Sequence, residues 1–353
     1  MANQNVGTPR FYISVLQWLK SLGKIDIGNV VGTDFEIGAN RNEALSLLDL
    51  NPTNTKVGAD FPDGSVEVVN FLTESPIASY TYKDNGFAIL LNHNFKSADA
   101  KFLVREEGGY IFGNNSYGMS VNCSTDPDSD HMRTADFDGW SLWTADDISD
   151  LYNVNNVALH MDDAGTTSGV YDSTRLKLGC FGLGNYYDMP HSPELSLTLS
   201  HEYKGITKQT TMGGSTLTNV NYYKPPKWGD LEAWQLGGFP RKYSGRRVWN
   251  LSFNYLNDED LEPTSYHIDE SHPTDWKENW FSNVLHYTMG GALPFIFQPN
   301  KDATYNYIDP GNGDEYIDKI PELAICRFDM DTFSREQVAN GVYNIKVKIK
   351  ESW

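Results

Sequence analysis

The sequence predicts a mainly β protein, a β-sandwich core with an inserted jelly-roll domain and a few short helices. Three observations predict it. From about residue 55 onward, short apolar or alternating runs recur between clusters of Asn, Asp, Gly and Pro. Two longer segments, 246–255 and 342–350, alternate in polarity with a period of two. Aromatic residues make up 13% of the 353 residues and charged residues 21%, a mix that buries a core and is unlike a disordered chain. Short strands at this spacing favour a sandwich or jelly roll over an α/β sheet.

The expected units are an N-terminal arm over 1–54 that contributes to the core, a jelly roll over 55–190 and a β-sandwich assembly domain over 191–353. In the arm, Thr8-Pro9 suits a helix start, and Tyr12, Val15, Leu16, Leu19 and Leu22 recur at helical spacing before Gly23. Phe11, Ile13 and Val15 also alternate like a strand, so both readings stay open. The leucines at 45, 47, 48 and 50 run into Asn51-Pro52-Thr53-Asn54, which is turn chemistry.

The jelly-roll strands are expected at 66–69, 77–82, 87–91, 102–104, 157–160 and 176–178, with long polar surface loops over 108–150. Gly179, Gly182 and Gly184 sit among strands with no helix following, and read as turn or bulge positions. In the third unit Leu195, Leu197 and Leu199 alternate with Ser and Thr. One face of 246–255 carries Arg247, Trp249, Leu251, Phe253 and Tyr255. A helix is expected over 274–289, capped by Thr274, striped by Trp276, Trp280, Val284 and Tyr287, and ended by Gly290-Gly291. Near the C-terminus Ile345, Val347 and Ile349 face inward while Lys346, Lys348 and Lys350 face out.

Charge narrows the function classes. With 28 Lys and Arg against 47 Asp and Glu the chain carries a net −19. Such a surface repels phosphate backbones and anionic membranes, so neither nucleic acid nor membrane insertion is expected. The opening residues lack a secretory pattern and no apolar run nears about 18 residues, so a soluble chain made in a cytoplasm is expected. Cys123, Cys180 and Cys326 are too few and too far apart for a disulfide framework or a zinc knuckle, and read as buried thiols.

No GxSxG elbow, HExxH, P-loop or dinucleotide fingerprint appears, so no catalytic residue and no cofactor is expected. His267 and His272 stand five apart in an acidic segment that reads as a solvated loop. Asp309, Asp314 and Asp318 supply hard oxygen ligands among glycines, a weak calcium-loop candidate, but their spacing departs from the EF-hand and fits a hairpin tip better. Among 47 acidic residues, no glycosidase pair can be picked out by type alone.

Phe87-Ala-Ile-Leu-Leu-Asn-His-Asn-Phe95, followed by Ser97 to Val104, resembles the central strand pair of galactose-binding-like, discoidin-type jelly rolls, with His93 as a turn residue. Further on stand Tyr186-Tyr-Asp-Met-Pro-His-Ser-Pro-Glu-Leu-Ser-Leu197, Lys224-Pro-Pro-Lys-Trp228, the 244–255 segment, Gly290-Gly-Ala-Leu-Pro-Phe-Ile-Phe-Gln-Pro299 and the 328–343 segment. With the Thr8-Pro-Arg-Phe-Tyr12 opening, these resemble virion structural proteins of marine tailed bacteriophages, most closely distal tail or baseplate proteins.

The resemblance implies a non-enzymatic ring component of the virion tail, made in the host cytoplasm, whose partners are copies of itself and other tail proteins. It supplies no catalytic residues. Arg246, Arg247, Lys346 and Lys348 are the cationic candidates for meeting a neighbour's carboxylates. Copies this acidic repel one another, so salt, cations or basic neighbours have to screen them while apolar contacts supply adhesion. Two rival readings are a carbohydrate-binding module of a phage adhesion device, stacking host glycan on Trp140, Trp143 or Tyr152, and a glycan-degrading enzyme.

Overall fold

A computed structural model describes residues 6–27, 41–53, 56–60, 66–74, 85–92, 99–106, 118–122, 140–145, 154–162, 175–203, 206–220, 235–236, 245–263, 279–302, 305–308, 315–320 and 323–352. The chain is mainly β, and two antiparallel sheets dominate it. The larger has eleven strands. Its path runs Thr198–Glu202, Arg246–Asn257, Val342–Glu351, Leu323–Phe328, Phe295–Gln298, Arg10–Ser14, Cys180–Asp188, Gly86–Leu91 and Trp140–Ala145. Gln235–Leu236 and Arg335–Ala339 add to it off this path. The second sheet joins Ile25–Ile27, Val66–Thr73, Val154–Asp162, Asp99–Glu106 and Gly118–Asn122.

The expected divisions at 54/55 and 190/191 do not coincide with boundaries between sheets. Strand Arg10–Ser14 lies between Cys180–Asp188 and Phe295–Gln298, so it stitches strands from all three sequence segments into one sheet. The reason lies in its side chains. Phe11 and Ile13 join the core on one face of the sheet and Tyr12 joins the core on the other, so the strand is stable only with neighbours on both edges and layers on both faces. Phe11 alone meets Trp280, Phe295, Phe297 and Phe328 at ring-centroid distances of 5.1–6.3 Å.

The second sheet covers one face of the first. Val69, Phe71, Val157 and Leu159 share a core with Ala88, Leu90, Phe181 and Leu183, and Phe71 stacks on Phe181 at 5.9 Å. Gly86–Leu91 reads as an unbroken apolar run because both its faces are buried. Phe87, Ile89 and Leu91 enter the opposite core with Leu142, Ile296 and Ile325.

Both readings of the N-terminal segment are realised in succession. Arg10–Ser14 is a strand and Val15–Ser21 a helix, with Ser14 as its cap, accepting from Gln17 N at 3.3 Å. Thr8 does not cap it; its hydroxyl lies 3.2 Å from that of Ser192. Gly23, at φ +72°, ends the helix. Ser14 pairs with Gly184 where strand gives way to helix, and a Cβ at Gly184 would lie 2.0 Å from the Ile13 carbonyl oxygen. Gly184 therefore serves close backbone approach, while a Cβ at Gly182 would press on the Ile89 side chain at 2.9 Å; both lie inside a regular strand, and not at the turn or bulge expected of them.

Other expectations shift in detail. Trp140–Ala145 is a strand of the large sheet and Gly118–Asn122 a strand of the smaller one, within the stretch expected to be loop. In Arg246–Asn257 the alternation holds through Phe253 and then breaks. Tyr255 adopts φ +61° and is 73% exposed, and the register shift lets Leu256 take the next buried position. Leu195 stands exposed in a turn before the strand begins. The described part of the 274–289 helix starts at Asn279, whose Oδ1 accepts from Ser282 N at 2.8 Å, and continues as a π-type turn over Phe281–Leu285. Trp280, Val284 and Tyr287 are buried, but the helical element ends at Leu285, earlier than expected, and turns carry the chain on to Gly290 and Gly291, both at positive φ. The strand expected at 77–82, His93, His267, His272 and residues 274–278 lie outside the described residues.

One ion network ties the stitching strand down. Arg10 donates through Nε and Nη2 to Asp188 at 2.6 and 2.9 Å, stands 3.9 Å from the Tyr186 ring centroid, and shares Asp188 with Lys301 Nζ at 3.1 Å. Burial alone raises the Asp188 pKa, but Arg10 and Lys301 outweigh it and hold the carboxyl below its ordinary value. A depressed carboxylate pKa contributes stability that is full above the unfolded value of about 3.9 and is lost as pH falls through the folded one. Asp188→Asn is therefore expected to lower stability by about 1–3 kcal/mol at neutral pH, with the difference shrinking below about pH 4. Urea midpoints for both chains between pH 7 and 2 check this; a gap that persists undiminished at pH 2 contradicts it.

Candidate functional site

The four cationic candidates have different fates. Arg247 is not a surface charge. Its Nε donates to Glu351 Oε1 at 2.6 Å, its backbone N donates to Oε2 at 2.8 Å, and the two side chains are 4% and 0% exposed. Its guanidinium also lies 5.0 Å from the Trp249 ring centroid. An alternating strand brings an arginine inward when a carboxylate stands directly across the ladder, as Glu351 does here. Lys348 pairs on the surface with Asp329 at 2.6 Å, Lys346 is exposed, and Lys350 pairs with Glu202.

Arg246 is half-buried and lines a cleft of about 500 Å³. The cleft forms where the 50–53 loop meets the start of Arg246–Asn257 and the ends of Leu323–Phe328 and Val342–Glu351. Its charged lining is Arg246, Arg327 and Lys350 against Asp329 and Glu351. Both carboxylates are already held by cations, Lys348 and Arg247. Arg327 is held by neutral acceptors instead, Ser352 Oγ at 3.0 Å and the Ala292 carbonyl oxygen. Lys350 is itself paired with Glu202, so the lining is of mixed charge. Arg327 is absent from the expectations above, although as the one charge in an otherwise buried Leu323–Phe328 strand it carries a signal.

The chain matches no family model, no curated protein and no solved structure.

A second feature stands apart from the cleft. Ile206–Thr210 and Thr216–Val220 pair in register across a five-residue turn, in which Gly214 adopts φ +82° and donates to the Thr211 carbonyl at 2.9 Å. Every residue from 207 to 219 is exposed, including Met212 and Leu217. The expectations above omit this hairpin, although threonine-rich flanks around Gly213-Gly214 carry the hairpin signal. It follows directly on Thr198–Glu202, which is an edge strand of the large sheet.

Trp140 and Trp143 lie in the strand at the other end of the large sheet's described path, paired in register with Leu91 and Ala88. Tyr152, Asp309 and Asp314 lie outside the described residues, and Asp318 lies in Glu315–Ile320, which pairs with Tyr305–Ile308 as a hairpin. Among the described residues no group of three or more His, Cys, Asp or Glu could hold a metal ion, and no helix is long and apolar enough to cross a membrane. Cys180 and Cys326 are buried free thiols, pushed above the ordinary thiol range by desolvation. Cys123 lies outside the described residues.

Proposed function

We propose that this chain is a structural protein that assembles with copies of itself, a ring component of a bacteriophage tail as its sequence resemblance implies. The observation that carries the reading is the 206–220 hairpin. A two-stranded hairpin is marginally stable alone in water, and this one buries none of residues 207–219 against its own chain. Its exposed Met212 and Leu217, following on Thr198–Glu202 at the edge of the large sheet among the described residues, are suited to packing on a neighbouring subunit. A mainly β body with both faces of its central strands buried supplies a rigid frame from which such an arm projects.

Mass photometry of the purified chain, alone and with co-expressed tail proteins, tests this. The intact chain is expected to form closed oligomers. A variant with residues 207–219 replaced by Asn-Gly is expected to keep its melting temperature within a few degrees and to assemble at least about tenfold more weakly. An intact chain that stays monomeric in both settings overturns the reading.

A further inference from the structure

Two strand segments of this chain leave their side chains in water. One is the 206–220 hairpin, exposed from 207 to 219. The other is Arg335–Ala339, exposed at all five positions and paired on one side with Val342–Glu351. Among the described residues its other side pairs with no strand. An extended edge of this kind is a template for an added strand.

The surroundings of Arg335–Ala339 set what it accepts. Residues 342–345 lie between it and the end of Arg246–Asn257, so Tyr255 and Val338, 73% and 43% exposed, belong to one three-stranded corner. Tyr255 sits at φ +61°, its backbone N–H donating to Asn344 Oδ1 at 3.1 Å. A bulky residue in that region is strained and persists only where its surroundings enforce it; here the strain holds an aromatic ring in solvent. The Asp258 backbone N–H donates to the Gly341 carbonyl at 3.0 Å, which brings the exposed Asp258 and Glu259 to the same corner as the exposed Glu336. None of these three carboxylates is ion-paired among the described residues. Arg335 is taken by Glu262, and Lys346, one register pair beyond the strand, is exposed. The corner is therefore apolar and, on balance, acidic. The hairpin has the opposite character. Residues 203–229 contain four lysines and no Asp or Glu, on a chain with 47 acidic residues among 353. Its second strand, Thr216–Val220, carries Leu217 and Val220 and no charge.

We infer that Thr216–Val220 of one copy adds to the Arg335–Ala339 edge of a second copy, with Leu217 and Met212 packing on Val338 and Tyr255. The contact rests on the self-assembly reading above and deepens it by naming what receives the arm. An arm without carboxylates is the part of an acidic chain that meets least repulsion from another copy, and the acidic corner attracts its lysines. Main-chain pairing then supplies adhesion and the apolar side chains supply register. The hairpin follows Glu202, which pairs with Arg246 at the start of Arg246–Asn257, whereas the corner lies at the far end of that strand. Donor and receiver surfaces differ and stand apart, so the contact is heterologous, the kind that closes into a ring or extends as a filament.

The test uses four variants of the full chain: Leu217→Glu, Val338→Lys, both together, and Tyr255→Asn. All three positions are exposed, and circular dichroism confirms the fold of each variant. Leu217→Glu places a carboxylate in the arm against the acidic corner and is expected to raise the concentration needed for assembly at least about tenfold. Val338→Lys is expected to weaken assembly as well, and the combined chain to recover it substantially, since opposite charges then face each other across the added strand. Asparagine tolerates the left-handed backbone that tyrosine resists. Tyr255→Asn is therefore expected to keep or raise the melting temperature, measured below the assembly concentration, and yet to assemble at least about tenfold more weakly. If the intact chain assembles and the Val338 and Tyr255 variants assemble equally well, or if the combined chain recovers nothing, this contact is wrong while the self-assembly reading stands. An intact chain that never assembles removes both.

Discussion

Glu351→Ala is expected to lower the unfolding free energy by about 3–5 kcal/mol, the range for stranding one member of a buried ion pair. The substitution leaves the Arg247 guanidinium in the core without its carboxylate and strips the Arg247 backbone N–H of its acceptor. The loss should appear as a lower urea midpoint with an unchanged slope. Arg247→Met combined with Glu351→Leu is expected to recover most of it, because apolar residues of similar volume need no charge compensation, although the orphaned N–H keeps recovery incomplete. An alanine variant as stable as the parent would show that water reaches the pair.

Gly184→Val is expected to prevent folding, or to destabilise by about 4 kcal/mol or more. A Cβ there would sit 2.0 Å from the Ile13 carbonyl oxygen and 2.7 Å from the Val15 nitrogen, both main-chain atoms that cannot swing aside as a side chain does. Relief requires prising Arg10–Ser14 away from Cys180–Asp188, which opens both cores. Gly213→Ala in the exposed hairpin turn is the matched control, since its nearest contact would be 4.0 Å and its effect within about 0.5 kcal/mol. Yield of soluble protein and thermal midpoints compare the two; equal behaviour would contradict the packing described at Gly184.

Much of the fold was legible where one face of a strand meets water. Ile345, Val347 and Ile349 alternate with lysines, and the structure buries the first set and leaves the second exposed or half-buried. Legibility failed where both faces are covered. Phe87 to Leu91 announces a strand, but an all-apolar run contains nothing to say which sheet it joins, and its neighbour Cys180–Asp188 lies some ninety residues away. The two strands flanking Arg10–Ser14 come from residues 180–188 and 295–298, a pairing no local pattern encodes. At the candidate site, Arg247 read as a surface charge because its carboxylate stands 104 residues further on. Arg327 gained its place only when four separated segments met around a cleft.

The stitching strand also constrains how the chain reaches its fold on the ribosome. Tyr12 donates to Gln298 across a separation of 286 residues, so the seam beside Arg10–Ser14 cannot close until most of the chain has emerged. At about 5–20 residues per second, that leaves Phe11, Tyr12 and Ile13 without their final neighbour for roughly 15–60 s. Nascent chains in this interval present a nearly uninterrupted apolar strand with an open edge, the species most prone to wrong pairing and to capture by chaperones.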